Sequence, residues 1–261
     1  GTEDDTANSF SPNAFVHITD NGDTIIYCGR CEMGQGISTA LPSAVADELE
    51  ADWQRVKVIQ GDADEKYGPI FEAYAARTIE DLSTDSEALK VGQRLFIQNC
   101  AQCHGSDAHG TTGFPNLADK DWLYGGTPEK IKETIMEGRQ AVGMMSWTGA
   151  LGGEEGVKEV AAYVISLSGR SVNADLANAG KAKFGICAGC HGPNGQGSLA
   201  MGLPMGAPNL SDNIWLYGGS QRAIEESIRN GRAGVMPAWK DILGEEKVHL
   251  VSAYVYSLSQ D

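Results

Sequence analysis

The sequence predicts a mainly α-helical protein in which two tandem domains of one design follow a small α/β module with strand, strand, helix, strand (ββαβ) order. Three observations predict it. The motif Cys-x-x-Cys-His occurs twice, as Cys100-Ala101-Gln102-Cys103-His104 and Cys187-Ala188-Gly189-Cys190-His191, and each copy is followed by the same ordered landmarks. Apolar residues among those landmarks recur at helical spacing, as in Val160, Tyr163, Val164 and Leu167. Residues 1–67 hold 4 basic and 13 acidic side chains of the chain's 20 and 35, which puts a compositional boundary near Tyr67. The expected units are the module 1–67, a linker 68–87, a first domain 88–170 and a second domain 171–261.

In the module, alternating apolar residues predict strands over Phe15–Thr19, Thr24–Tyr27 and Arg55–Ile59, with a helix over Ile37–Leu49 before the third strand. Gly34 and Gly36 suit a tight turn from strand to helix. Cys28 and Cys31 form a Cys-x-x-Cys, but Glu32 follows instead of a histidine, which leaves a disulfide or two free thiols open.

Each repeat opens with a glycine one helical turn before an aromatic, Gly92 with Phe96 and Gly180 with Phe184, as suits a helix that crosses another at close range. Phe114-Pro115-Asn116-Leu117 answers Ala207-Pro208-Asn209-Leu210, and Trp122-Leu123-Tyr124-Gly125-Gly126 answers Trp215-Leu216-Tyr217-Gly218-Gly219. An apolar stripe then leads to a glycine that reads as a helix C-cap: Ile131, Ile135, Gly138-Arg139 in one copy and Ile224, Ile228, Gly231-Arg232 in the other. Met144-Met145-Ser146-Trp147 and Met236-Pro237-Ala238-Trp239 follow. The closing helices carry Tyr163 and Tyr254, which are expected to pack against the opening glycines.

Cys-x-x-Cys-His is the attachment motif for haem c: the two thiols add across the vinyl groups and the adjacent histidine takes one axial face of the iron. A zinc site needs a second Cys-x-x-Cys at zinc spacing, which neither copy has. Two covalent haems are therefore expected, with His104 and His191 as iron ligands. Methionine is the usual sixth ligand of an electron-transfer haem, because a neutral thioether favours ferrous iron. Register assigns Met144 to the first haem, with Met145 an adjacent rival, and Met236 to the second.

Pro115 and Pro208 stand where a backbone carbonyl accepts from the histidine ring N–H. Trp122, Trp215, Arg139 and Arg232 are candidates for the haem propionates, with simple packing the alternative for the tryptophans. Met201 and Met205 fall in a stretch that the first copy lacks and read as surface loop. His17, His109 and His249 have no repeat partner and read as strand, loop and helix residues.

A formal charge of -15, without clustered Lys and Arg, excludes nucleic acid as a partner and suits steering of basic proteins. No apolar run reaches the length of a membrane span, and the first residues are acidic where an export signal is basic and apolar. Thioether attachment follows export in bacteria, so a periplasmic location is expected, with the signal peptide already removed.

Three phrases carry a family resemblance: Leu117-Ala118-Asp119-Lys120-Asp121-Trp122-Leu123-Tyr124-Gly125-Gly126, Gly231-Arg232-Ala233-Gly234-Val235-Met236-Pro237-Ala238-Trp239 and the run from Lys247 to Ser259. From Lys66 onward the sequence resembles the dihaem subunit, subunit III, of cbb3-type cytochrome c oxidases. The resemblance implies two class I cytochrome c domains, His/Met ligation at His104 with Met144 and at His191 with Met236, and electrons passed toward a haem-copper subunit. That family places a transmembrane anchor before this region, where the present sequence carries something else.

Asn13-Ala14-Phe15-Val16-His17-Ile18, Glu32-Met33-Gly34-Gln35-Gly36, Thr39-Ala40-Leu41-Pro42 and Val45-Ala46-Asp47-Glu48-Leu49 resemble the start of the molybdenum-binding subunit of the xanthine oxidase family, isoquinoline oxidoreductase type. That resemblance implies an approach of Gln35 to molybdenum. The remaining pterin-binding segments and the active-site glutamate are absent, so no molybdenum cofactor is expected.

The expected function is single-electron transfer between redox proteins, a cytochrome c donor and a haem-copper oxidase, with no substrate chemistry on this chain. The alternative is a cytochrome subunit that drains electrons from a molybdenum hydroxylase acting on aldehydes or heterocycles. A peroxidase-like dihaem enzyme needs an open sixth position on one iron, against which the two methionines in register speak.

Overall fold

Residues 10–13, 16–19, 21–28, 37–60, 70–140 and 142–260 are described by a computed structural model, in which the chain divides after Ala73 into two units. In the first unit, β1 (Phe10–Asn13), β2 (Val16–Ile18), β3 (Thr24–Cys28) and β4 (Val56–Gln60) form one sheet in the order β1-β2-β3-β4. β2 lies antiparallel to both β1 and β3, and β3 pairs in parallel with β4 across the helix α1 (Ile37–Glu48). Thr24 and Ile26 are buried two residues apart, the period at which side chains of a strand share a face. Pro42 and Ala46, one turn apart on α1, are buried too.

The sheet has one strand more than the ββαβ pattern. The added strand, Phe10–Asn13, carries Pro12, and an edge strand is the place in a sheet that tolerates proline. Gln35, Gly34, Gly36 and Cys31 lie outside the described residues, so the cofactor and disulfide questions attached to them do too.

The second unit is helical. In chain order it contains α2 (Ile79–Leu82), α3 (Ser86–Asn99), α4 (Ala101–His104), α5 (Pro128–Glu137), a short strand β5 (Arg139–Gln140), α6 (Glu154–Leu167), α7 (Ala174–Lys183), α8 (Ala188–His191), α9 (Gln221–Asn230), β6 (Val235–Met236), α10 (Lys240–Leu243) and α11 (Glu245–Leu258). Side-chain caps start α3, α5, α7 and α9, whereas α6 and α11 begin at Gly153 and Gly244 without one. Asp85 accepts from Glu87 and Ala88 N–H, Thr127 from Lys130, Asn173 from Asp175 and Leu176, and Ser220 from Ala223. Gly138 and Gly231 end α5 and α9 at φ of 69° and 74°, a region open to glycine without strain. The segment read as a linker is structured at its end, because Ile79 and Leu82 of α2 are buried and α2 packs on α11.

The repeats do not fold as separate domains. α3, which opens the first repeat, packs on α11, which closes the second, and α6 of the first packs on α7 of the second. One lobe therefore holds α2, α3, α4 and α5 with α10 and α11, around Phe96, Ile131, Ile135, Val248, Val251 and Tyr254. The other holds α6 with α7, α8 and α9, around Val157, Val160, Ala161, Phe184, Ile224 and Ile228. The two lobes do not coincide with the expected division into 88–170 and 171–261.

The exchange takes place just past the Gly-Arg helix ends. There β5 pairs antiparallel with β6, and Met144 forms a bridge with Arg232. A Cβ on Gly138 would strike the Met236 carbonyl, and one on Gly231 the Met144 carbonyl, so the absent side chains permit the crossing strands to pass.

Candidate functional site

Both Cys-x-x-Cys-His motifs fold alike. Cys100 and Cys187 cap one-turn helices that end in the histidine, so both sulfurs and the imidazole project from a single turn. The four cysteines are not in disulfides. Burial pushes the Cys100 and Cys187 thiols up to about 11, so before thioether formation they are neutral near pH 7.

The histidines are oriented from behind. His104 Nδ1 lies 3.0 Å from the Pro115 carbonyl oxygen and His191 Nδ1 lies 2.9 Å from that of Pro208. A carbonyl only accepts, so Nδ1 carries the proton and Nε2 presents its lone pair. Burial lowers both imidazole pKa values, against the opposing pull of the proline carbonyls, and this favours the neutral ligand form. Glycines let the loops fold back: Gly110 N–H donates to His104 O and Gly197 N–H to His191 O, each at 2.8 Å.

The methionines cross over. Met236 and Trp239 pack in the lobe with Cys100, Ala101, Leu117 and Trp122, whereas Met144 and Trp147 pack with Cys187, Ala188, Leu210 and Trp215. The register pairing put Met144 with His104 and Met236 with His191, whereas the packing groups each methionine with the cysteine of the other repeat. Met145 is 65% exposed while Met144 is half-buried, so Met144 is the one that faces the lobe interior.

Trp122 and Trp215 lie over Gly126 and Gly219, where any Cβ would overlap the indole ring. Arg139 stacks on Tyr124 at 5.2 Å and donates to Glu133 and Thr134; Arg232 stacks on Tyr217 at 4.5 Å and donates to Ser227. Sequence reasoning passed over Arg170, whose guanidinium lies 5.1 Å from the centre of the Trp215 ring. The repeat offered no signal for it, because the other repeat carries Asp261 at the aligned position in sequence.

Between the loops that follow the two motifs lies a cavity of about 250 Å3, lined by both orienting prolines, Phe114, Trp215, Asp119 and Asp121. Burial raises the pKa of both carboxyls, with Asp212 nearby adding to the effect. Gly113 N–H donates to Leu216 O at 2.8 Å across this junction.

Two Cys-x-x-Cys-His turns, each with an imidazole held by a carbonyl and a thioether in the same lobe, fit the covalent attachment and axial ligation of two haems c. The family model for subunit III of cbb3-type cytochrome c oxidase matches residues 87–164 and 176–255. A relative called Cbb3-type cytochrome c oxidase subunit CcoP, from Azospirillum brasilense, is 40% identical over 227 residues, covering 78% of this chain and 76% of its own. The chain belongs to the cbb3 subunit III family.

The CcoP subunit of Rubrivivax gelatinosus is 48% identical over 192 residues, 74% of this chain and 62% of that protein, so the chain spans less than two thirds of this relative's length. The FixP subunit of Bradyrhizobium diazoefficiens is 41% identical over 206 residues, 73% of this chain and 69% of its own. Both copies of the haem motif, both prolines, both methionines and the Trp-Leu-Tyr-Gly-Gly elements fall within the subunit III match. The model of a molybdopterin cofactor-binding domain matches residues 2–82, ahead of it. Among the described residues no helix is long and apolar enough to cross a membrane.

Proposed function

We propose that this subunit III relative is a periplasmic dihaem cytochrome that passes single electrons toward a cbb3-type haem-copper oxidase. The observation that carries this is the duplicated Cys-x-x-Cys-His turn, with an imidazole fixed by a proline carbonyl and a methionine in the same lobe. When bound, haem c supplies a one-electron couple between ferric and ferrous iron. The chain does the rest: it holds each imidazole neutral, keeps the lobe interior apolar and fixes the two sites in one frame through the β5–β6 pairing.

The ligation we infer is crossed, His104 with Met236 and His191 with Met144, so each lobe of the class I type is completed by the other repeat. With both Cys187 and Cys190 changed to Ser, only the first haem attaches. In that background Met236→Ala is expected to abolish the far-red thioether charge-transfer band and Met144→Ala to preserve it. The reverse result would restore the register pairing, and loss of the band in neither variant would remove methionine from the first site.

The resemblance of residues 2–82 to a molybdopterin-binding domain motivates the second reading, a cytochrome that drains a molybdenum dehydrogenase. Metal analysis of the purified chain separates the two: two irons without molybdenum support the oxidase-side carrier, whereas stoichiometric molybdenum with aldehyde-dependent haem reduction supports the dehydrogenase.

A further inference from the structure

The two haem sites are equal in their ligands and unequal in their charges. In the lobe of the first motif, the one arginine on the Trp-Leu-Tyr-Gly-Gly element is Arg139. It is paired with Glu133, whose carboxylate lies 2.9 Å from Nη2 and is shared with Lys130 at 2.6 Å. In the other lobe two arginines hold the corresponding element, Arg232 on Tyr217 and Arg170 on Trp215, and neither has a carboxylate within ion-pair distance among the described residues. The equivalent of Glu133 in the repeat, Glu226, is exposed and makes no ion pair with Arg232.

Arg170 is anchored firmly. Nη1 donates to Gly219 O at 2.6 Å, Nε donates to Ser168 Oγ at 3.0 Å, and the guanidinium plane lies on the indole of Trp215. Its Nη2 is buried and has no hydrogen-bond partner. A buried charged donor left without an acceptor costs a few kcal/mol, so native proteins retain one where a partner is to come. The acceptor that suits a guanidinium best is a carboxylate, and haem c carries two as propionates. Trp215 packs against the same apolar cluster as Cys187 and Met144, which puts the orphaned N–H in the lobe of the second haem motif.

We propose that Arg170 holds a propionate of the haem attached at Cys187 and Cys190 and, together with Arg232, sets that haem's reduction potential above that of the haem attached at Cys100 and Cys103. Ferric haem carries one positive charge more than ferrous haem, so a fixed cation nearby favours the reduced state. The effect is large where the site is partly desolvated and is small across water. The repeat itself supplies the contrast: aligning Tyr163-Val164-Ile165-Ser166-Leu167-Ser168-Gly169-Arg170 with Tyr254-Val255-Tyr256-Ser257-Leu258-Ser259-Gln260-Asp261 puts an aspartate where the other repeat has Arg170. In sequence, the other repeat therefore has no arginine to match Arg170.

The inference rests on the dihaem reading, and the test keeps the two apart. Anaerobic spectroelectrochemical titration of the full holoprotein is expected to give two waves. The Cys187→Ser, Cys190→Ser variant, which keeps only the first haem, identifies the lower one independently of any methionine assignment. Arg170→Gln is expected to lower only the higher wave, by roughly a tenfold fall in the ferrous to ferric ratio at fixed ambient potential, or about 59 mV. Arg170→Lys keeps the charge and is expected to retain at least half of that difference. A higher wave unmoved in Arg170→Gln, a shift of the lower wave instead, or an equal fall in Arg170→Lys would each overturn the proposal. Haem stoichiometry and the far-red band are expected to stay intact in both variants, which leaves the dihaem reading standing whichever way the potentials fall.

Discussion

Met144 and Arg232 exchange both of their backbone hydrogen bonds, Met144 N–H to Arg232 O and Arg232 N–H to Met144 O, each at 2.7 Å. Arg139 pairs with Met236 in the adjoining two-residue ladder. Each methionine is thus gripped by the backbone of the repeat into whose lobe it has crossed, and the same ladder joins the two lobes.

The first expectation concerns the close approach of α3 to α11. A Cβ on Gly92 would lie 2.6 Å from Leu250 O and 2.8 Å from Tyr254 Cβ, well inside contact distance. Gly92→Ala is expected to destabilise the chain by about 1–3 kcal/mol, since overpacking outweighs the roughly 1 kcal/mol that alanine gains over glycine in a helix. Thermal unfolding followed by far-UV circular dichroism checks it, and an unchanged or raised midpoint would show that the helices can part without cost.

A second concerns the orientation of one histidine. Gly197 has φ of +85°, and a Cβ there would sit 2.8 Å from Asn209 N and 3.1 Å from Pro208 C. Gly197→Ala is expected to cost about 1–3 kcal/mol in backbone strain and to push the Pro208 carbonyl away from His191 Nδ1. A weaker bond to the ring N–H makes the imidazole a poorer donor to ferric iron, so the second haem's potential is expected to rise while the first stays constant. Redox titration reads both; movement of the two waves together would refute a local effect.

The third is a pH dependence. Hydrogen bonds from Arg77 hold the Asp81 and Asp85 carboxyls below the ordinary carboxylate range, at N···O distances of 2.7 Å each. A carboxyl whose folded pKa is depressed contributes stability above its unfolded value, about 3.9, and loses it as the pH falls through the folded value. Asp81 is exposed and Asp85 half-buried, so the contribution is modest. Arg77→Gln is expected to lower the thermal midpoint at pH 7 and to leave it nearly unchanged at pH 2.5, narrowing the difference between the two. A gap as wide as in the parent chain would refute the role of this cluster.

Local pattern carried much of the architecture. Capping residues, the apolar stripes through Ile131 and Ile224 and the C-cap glycines mark helices because they act within a few residues of one another. The proline carbonyls could be placed behind the histidines for the same reason, through short loops that close on Gly110 and Gly197. The edge strand Phe10–Asn13 was hidden by its proline, and Arg170 by the absence of an arginine at the aligned position of the other repeat, Asp261.

By itself the sequence determined the cofactor motif, the number of sites, the histidines that face them and the methionines available. Register within the repeat paired Met144 with His104 and Met236 with His191. Both repeats present the same glycine, aromatic and aliphatic pattern, so α11 is as good a partner for α3 as α6 would be, and pattern alone is degenerate between the two pairings. Only the tertiary structure decided between those helix pairings, through the strand crossing at Arg139 and Met236, where glycines without Cβ atoms let the two segments pass and the backbone hydrogen bonds lock the exchange.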